Sequence, residues 1–167
     1  MSAVGPELLA RVLDEHGSAL VLYARSWCDT PEDVVQEALL QLVRQPAPPD
    51  NLVAWLYRVV RNAAISASRK TRRRRRHETA AAGQAAPWFV HRAGDRLDAE
   101  EAARALESLG LEEREIIVAR LWGGLTFQEI AEVVGTSCSS AHRRYEAGLA
   151  ALRERFDSTC PKNSLNR

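Results

Sequence analysis

The densest chemistry in this sequence is cationic. Residues 69–77, RKTRRRRRH, hold seven Lys or Arg side chains and no acid. Residues 1–68 carry five Arg against eight Asp or Glu, and residues 78–167 carry eleven basic against fourteen acidic side chains. Two mildly acidic blocks of −3 therefore flank one patch of +7, and the net charge of +1 conceals a cationic block that reads as either a solvated tail or linker or a polyanion-binding surface, its place at the end of a helical pattern favouring the second. A second, smaller group follows a glycine further on: Ser139, Ser140, His142, Arg143 and Arg144. Hydroxyls and guanidinium groups at such spacing meet phosphates and the edges of bases. Nothing comparable points to covalent catalysis. His16, His77, His91 and His142 are isolated, and no phosphate-cradling glycine loop or convincing Ser/His/Asp or Cys/His arrangement occurs. Cys28, Cys138 and Cys160 form no Cys-x-x-Cys pair and have no histidine at ligand spacing. The expectation is a non-enzymatic protein with free thiols, no metal and no cofactor.

The elements that must position these groups read as helices throughout. The chain has 167 residues, enough for one domain or two small ones, with 46% hydrophobic and 27% charged side chains. Three Phe, three Tyr and one Met leave Leu, Val and Ala to build the core, which favours helix over sheet. No run approaches the roughly 18 apolar residues of a membrane span, and no secretory leader is visible, so a cytoplasmic protein is expected.

Residues 6–27 suggest two short helices, ELLARVLDEH and SALVLYARSW, divided at Gly17. Thr30 as N-cap, Pro31 in the first turn and the acids Glu32 and Asp33 then open a helix whose stripe is Val34, Val35, Ala38, Leu39, Leu42 and Val43. The prolines of QPAPPD end it. A long helix follows from about Asn51. Leu52, Trp55, Leu56, Val59, Val60, Ala63 and Ala64 form its buried stripe, with Arg58, Arg61, Asn62, Ile65 and Arg69 on the other side. That second face runs straight into the Arg run, so one continuous cationic surface is expected. Residues 79–94, TAAAGQAAPWFVHRAG, lose all amphipathic period and read as a flexible linker with an unusual apolar WFV at 88–90. Helical patterns resume over 96–108, 112–122, 127–134 and 138–156.

The segment LTFQEIAEVVGTSCSSAHRRYEAGLAAL carries the strongest local signal. Thr126 and Glu129 make a capping box, Ile130, Ala131, Val133 and Val134 a short apolar helix, and Gly135 its left-handed end. Ser137 caps a second helix in which Ala141, Tyr145, Leu149, Leu152 and Phe156 share one face. Ser139, Ser140, Arg143 and Ala147 lie opposite, with His142 and Arg144 beside them. A short helix, a tight turn and an exposed second helix make a helix-turn-helix, whose second helix enters the major groove by its N-terminal half.

Together these segments resemble a known family. EDVVQEALLQLVR followed by AWLYRVVRNAAIS resembles region 2 of bacterial sigma factors, and LESLGLEEREIIVARLWGGLTFQEIAEVVGTS with its basic helix resembles region 4. With only these two regions and a short linker, residues 6–156 are similar to an extracytoplasmic-function (ECF) sigma factor. The resemblance implies an all-α fold of two small helical domains: region 2 over 1–78, a linker over 79–94, region 4 over 95–156 and a tail over 157–167. It also implies a transcription initiation factor whose partners are core RNA polymerase (the β′ clamp helices and the β flap), promoter DNA and, commonly, an anti-sigma factor. Asp33, Gln36 and Glu37 match the positions that contact polymerase. Arg58, Arg61, Asn62, Ile65, Arg69, Arg72 and Arg73 match the minus-ten surface, with Asn62 at an unstacked base and the arginines at phosphates. Thr126, Ser137, Ser139, Ser140, His142, Arg143 and Arg144 match the surface that reads the minus-thirty-five duplex. This chain departs from the family in the proline-rich loop before Asn51, where an aromatic or bulky apolar residue is frequent, and at Glu146 and Ala147. Two other readings stay open on residues alone: a polymerase-independent helix-turn-helix regulator of the LuxR type, and a non-specific nucleic-acid-binding protein led by the Arg run.

Overall fold

The computed structural model describes residues 4–77 and 104–159, and every element among them is helical. Helix α1 spans Pro6–Arg25, α2 Pro31–Val43 and α3 Leu52–His77. After residues 104–107, which are also helical, come α4 (Leu111–Leu121), α5 (Phe127–Val134) and α6 (Cys138–Thr159). The apolar WFV at 88–90 and the start of the helix expected over 96–108 lie outside the described residues.

Helix α1 corrects the expected pair of short helices. It runs unbroken through Gly17, whose Cβ position is nearly open, with only Leu13 Cδ2 at 3.9 Å. A helical glycine costs about 1 kcal/mol relative to alanine. Burial of Leu20, Leu22 and Tyr23 one turn later outweighs that, at roughly 1.5–3 kcal/mol per large apolar side chain. Helix α2 starts as expected at Pro31, but the Thr30 side chain makes no capping bond. Its first turn relies instead on proline geometry and on Glu32, which pairs with Arg25 at 3.0 Å. Helix α3 is capped by Asn51, whose side-chain oxygen accepts from the Ala54 N–H at 3.1 Å.

Leu56, Val60 and Ala64 of the expected α3 stripe are fully buried, while Leu52, Trp55, Val59 and Ala63 are half-buried. Tyr57 is buried as well, because α3 has neighbours on two sides. Helices α1 and α2 pack on it within the first unit, and α5 of the second unit packs on it from elsewhere. In the second unit α6 packs on both α4 and α5, and α1 reaches across to α4. The two helical units therefore touch, and their apolar side chains form one continuous core from Val12 and Leu42 to Ile130 and Ala141.

Within the second unit, Arg114 closes the end of the preceding helical turn. Its guanidinium donates to the carbonyls of Leu106 at 2.9 Å, Glu107 at 2.7 Å and Leu109 at 3.2 Å. A helix end leaves such carbonyls orphaned, and this planar five-donor side chain satisfies three of them.

Candidate nucleic-acid interface

Helices α5 and α6 form the helix-turn-helix, and local chemistry sets every joint. The Glu129 N–H donates to Thr126 Oγ1 at 3.2 Å, while Glu129 Oε2 accepts from the Thr126 N–H at 2.7 Å and its hydroxyl at 2.8 Å. The Thr126 N–H first, then the Asn51 amide and the Thr126 hydroxyl, hold the Glu129 carboxyl below its ordinary pKa against the opposing effect of partial burial. Gly135 has φ +79°, the left-handed end that a side chain disfavours. The Ser140 N–H donates to Ser137 Oγ at 3.1 Å, so Ser137 caps α6.

The start of α6 faces solvent. Ser139, His142 and Arg143 are exposed, and Ser140 is half-buried. His142 stands edge-on to Phe127 at 4.8 Å between ring centres, with Glu146 at 3.7 Å on its other side. Arg144 points elsewhere: it pairs with Glu112 of α4 at 3.2 Å and is 31% exposed. Thr126 and Ser137 are exposed but spend their hydroxyls on the caps. Beside this face, Arg120, Phe127, His142, Tyr145 and Arg153 line a shallow cleft of about 260 Å³.

Helix α3 divides into two stretches. Arg58, Asn62, Arg69, Arg72 and Arg73 are exposed, and Ile65 is half-buried. Near the C-terminal end, Ser68, Thr71, Arg72 and Arg76 face Trp27 across a cleft of about 380 Å³, with Arg75 held by Asp29 at 3.2 Å. Arg61, on the middle of the helix, is different. Its guanidinium lies 5.0 Å from the Trp27 ring centre, and its Nε donates to Glu115 Oε1 at 2.5 Å. The Arg61 side chain is 18% exposed and that of Glu115 is fully buried. The same Glu115 oxygen accepts from the Tyr23 hydroxyl at 2.5 Å. Burial, then the charge and hydrogen bond of Glu115, push the Tyr23 phenol well above its ordinary pKa, so it stays a donor. The expected solvent-facing Arg61 is thus paired inside the contact between the units. Reading by period missed Tyr23 and Glu115 because their partners are distant in sequence. On α2, Asp33, Gln36 and Glu37 are all exposed, with Glu37 3.7 Å from Arg44.

Two family models match the chain in order, Sigma-70 region 2 over residues 12–74 and Sigma-70 region 4 over residues 99–152. The chain belongs to the sigma-70 family, as an ECF sigma factor. It is a factor for transcription initiation. This sigma factor is 29% identical over 151 residues to the ECF RNA polymerase sigma factor EcfG of Rhodopseudomonas palustris strain TIE-1, a match covering 87% of this chain and 81% of that protein. Its fold is similar to RpoE from Bartonella quintana, solved in complex with the anti-sigma factor NepR. That match has a TM-score of 0.72 at 23% identity and covers 92% of this chain and 98% of the other. CnrH, solved with the cytosolic domain of CnrY, is similar with a TM-score of 0.62 at 24% identity, covering 93% of this chain and 92% of the other. Helices α1–α3 of the sigma factor overlap the region 2 match and α4–α6 the region 4 match, with α1 starting before residue 12, α3 ending past 74 and α6 past 152. Among the described residues no helix is long and apolar enough to cross a membrane, and no cluster of His, Cys, Asp or Glu could hold a metal ion.

Proposed function

We propose that this sigma factor binds core RNA polymerase in the cytoplasm, directs it to specific promoters, and divides the DNA between its units without covalent chemistry. Region 2, over residues 1–78, captures the opened minus-ten strand. Region 4, over residues 95–156, reads the minus-thirty-five duplex. Residues 79–94 tether them, and 157–167 form a tail. Asp33, Gln36 and Glu37, exposed together on α2, meet basic groups of the polymerase β′ clamp helices, and region 4 meets the β flap.

The observation that carries this reading is the free start of α6 on a well-capped helix-turn-helix, joined in one chain to the cationic α3. Ser139, His142 and Arg143 reach base edges in the groove, with Ser140, Ser137 and Thr126 toward the phosphates. Arg144, tied to Glu112, contributes to phosphate contact more than to base readout. On α3, Asn62 holds an unstacked base through its amide, Ile65 gives that base an apolar wall, and Arg58, Arg61, Arg69, Arg72 and Arg73 bind phosphates. Disrupting a base-pair step costs about 0.6–2.2 kcal/mol. Each hydrogen bond to a captured base returns about 0.5–1.5 kcal/mol, so several such contacts, with the phosphate contacts, offset a short melted segment. An anti-sigma factor is a natural further partner, since RpoE was solved with the anti-sigma factor NepR and CnrH with the cytosolic domain of CnrY.

Purified protein should co-elute with core RNA polymerase and support run-off transcription from a subset of promoters. A tight operator footprint by the protein alone, with transcription unaffected by its addition, would refute the reading.

A further inference from the structure

We propose that Glu115 and Arg61 form an intramolecular lock in which the Glu115 carboxylate occupies the position a DNA phosphate takes on Arg61, so that the free chain withholds this cation from its strand-capturing face until the two units part. The inference rests on the reading above that Arg61 serves promoter DNA.

Glu115 belongs to α4 of the second unit, yet both hydrogen bonds to its Oε1 come from the first unit, one from α1 and one from α3. Its second oxygen, Oε2, is buried without a hydrogen-bond partner. A fully buried carboxylate supported only from across the contact answers to the arrangement of the two units. An apolar side chain of similar size would serve the second unit's core better.

Arg61 makes the complementary case. Its guanidinium is a planar fork suited equally to carboxylate and to phosphate, and it cannot lose its charge to escape a mismatch. The Trp27 ring at 5.0 Å fixes the guanidinium beside Glu115. While Nε is engaged and the side chain is covered, Arg61 has little of itself to offer a backbone phosphate. Its neighbours on the same face, Arg58 and Asn62, are exposed, so the lock removes the central cation from an otherwise open surface.

Buried ion pairs specify a geometry more reliably than they stabilise it, because desolvation of both charges offsets most of their attraction. The contact, apolar core included, opens once a partner binds the separated form better by more than the contact contributes. Polymerase, which engages both units, and DNA, which needs Arg61, each favour that form and shift the population toward it. At the rim, Asn51 Nδ2 donates to Glu129 Oε1 at 2.5 Å, a second polar bond that breaks when the units part and leaves the capping box of α5 in place.

The test compares the full-length wild-type chain with Glu115→Gln and Tyr23→Phe. Each free protein is measured for radius of gyration by small-angle X-ray scattering and for affinity toward a mixed-sequence single-stranded DNA oligonucleotide at one fixed salt concentration. With the lock, Glu115→Gln enlarges the radius and tightens oligonucleotide binding about tenfold, the scale of a typical coupling between two states. Tyr23→Phe, which deletes one donor and keeps the ring, moves both readouts the same way by less. It serves as the deciding variant should circular dichroism show Glu115→Gln unfolded. An unchanged radius in the folded variants overturns the lock, and so does an enlarged radius with unchanged affinity. A separate measurement on reconstituted holoenzyme isolates the premise: if Arg61→Ala leaves promoter opening intact, the DNA role of Arg61 fails, and the inference fails with it whatever the scattering shows.

Discussion

The two helices proposed to meet DNA carry similar residues but meet solvent on different terms. Helix α6 exposes Ser139, His142 and Arg143, while α3 surrenders Arg61 from the middle of its face to Glu115. A basic residue is available to DNA only where the rest of the fold leaves it so. On the proposed roles, the start of α6 is open to a duplex as it stands, while α3 offers only part of its face to a single strand.

The strongest way to break the comparison is through the shared core. Leu56→Ala in α3 and Ile130→Ala in α5 should each cost about 2–5 kcal/mol. Because one apolar cluster spans both units, calorimetry should show a single transition lowered in either variant. Two separate transitions, each answering to one substitution, would mean that the units fold independently and that the contact between them is weak. Next in size, Arg61→Ala combined with Asn62→Ala should reduce open-complex formation by roughly 30-fold or more, from loss of a held base and a phosphate contact. Polymerase binding, measured by co-elution, should change far less; equal losses would place both residues outside DNA capture. On the other helix, Arg143→Ala should weaken binding to a minus-thirty-five duplex by about 1–3 kcal/mol. Arg144→Ala should lose less, since that side chain is already turned toward Glu112. A reversed order in a binding titration would exchange their roles.

The smallest effect concerns the cap. Thr126→Ala should cost about 1 kcal/mol of thermal stability by circular dichroism. The Glu129 carboxyl is depressed in the folded chain, so its contribution is fully present above the ordinary glutamate value of about 4.3 and is lost as pH falls through the lower folded value. The melting-temperature gap between wild type and Thr126→Ala should therefore narrow on acidification below that point. A constant gap would place the benefit in the threonine hydroxyl alone.

What the sequence revealed follows the range of the forces involved. The capping box, the left-handed Gly135 and the Ser137 cap each depend on residues within about a turn of one another, and all three were legible before any coordinates. The apolar stripe of α2 was legible for the same reason. Gly17 reads as a break because its propensity cost of about 1 kcal/mol is local, while the packing that overrides it is not. Thr30 had the right residue type in the right place, but its side chain makes no bond to the helix it precedes. Period alone put Arg61 on a solvent face, since its partner Glu115 lies 54 positions away and nothing near either residue signals the other. Tyr23 and Tyr57 were hidden likewise: their rings pack 4.8 Å apart between two helices, a fact of topology.

In the turn after α4 the two units meet through an uncharged contact. A Cβ on Gly123 would stand 2.6 Å from the Tyr57 ring and 2.5 Å from the Ala119 carbonyl oxygen. The hydrogen atom at this one position thus sets how tightly the halves can seat. Even one added methyl would wedge the seam and strain the turn that supports it.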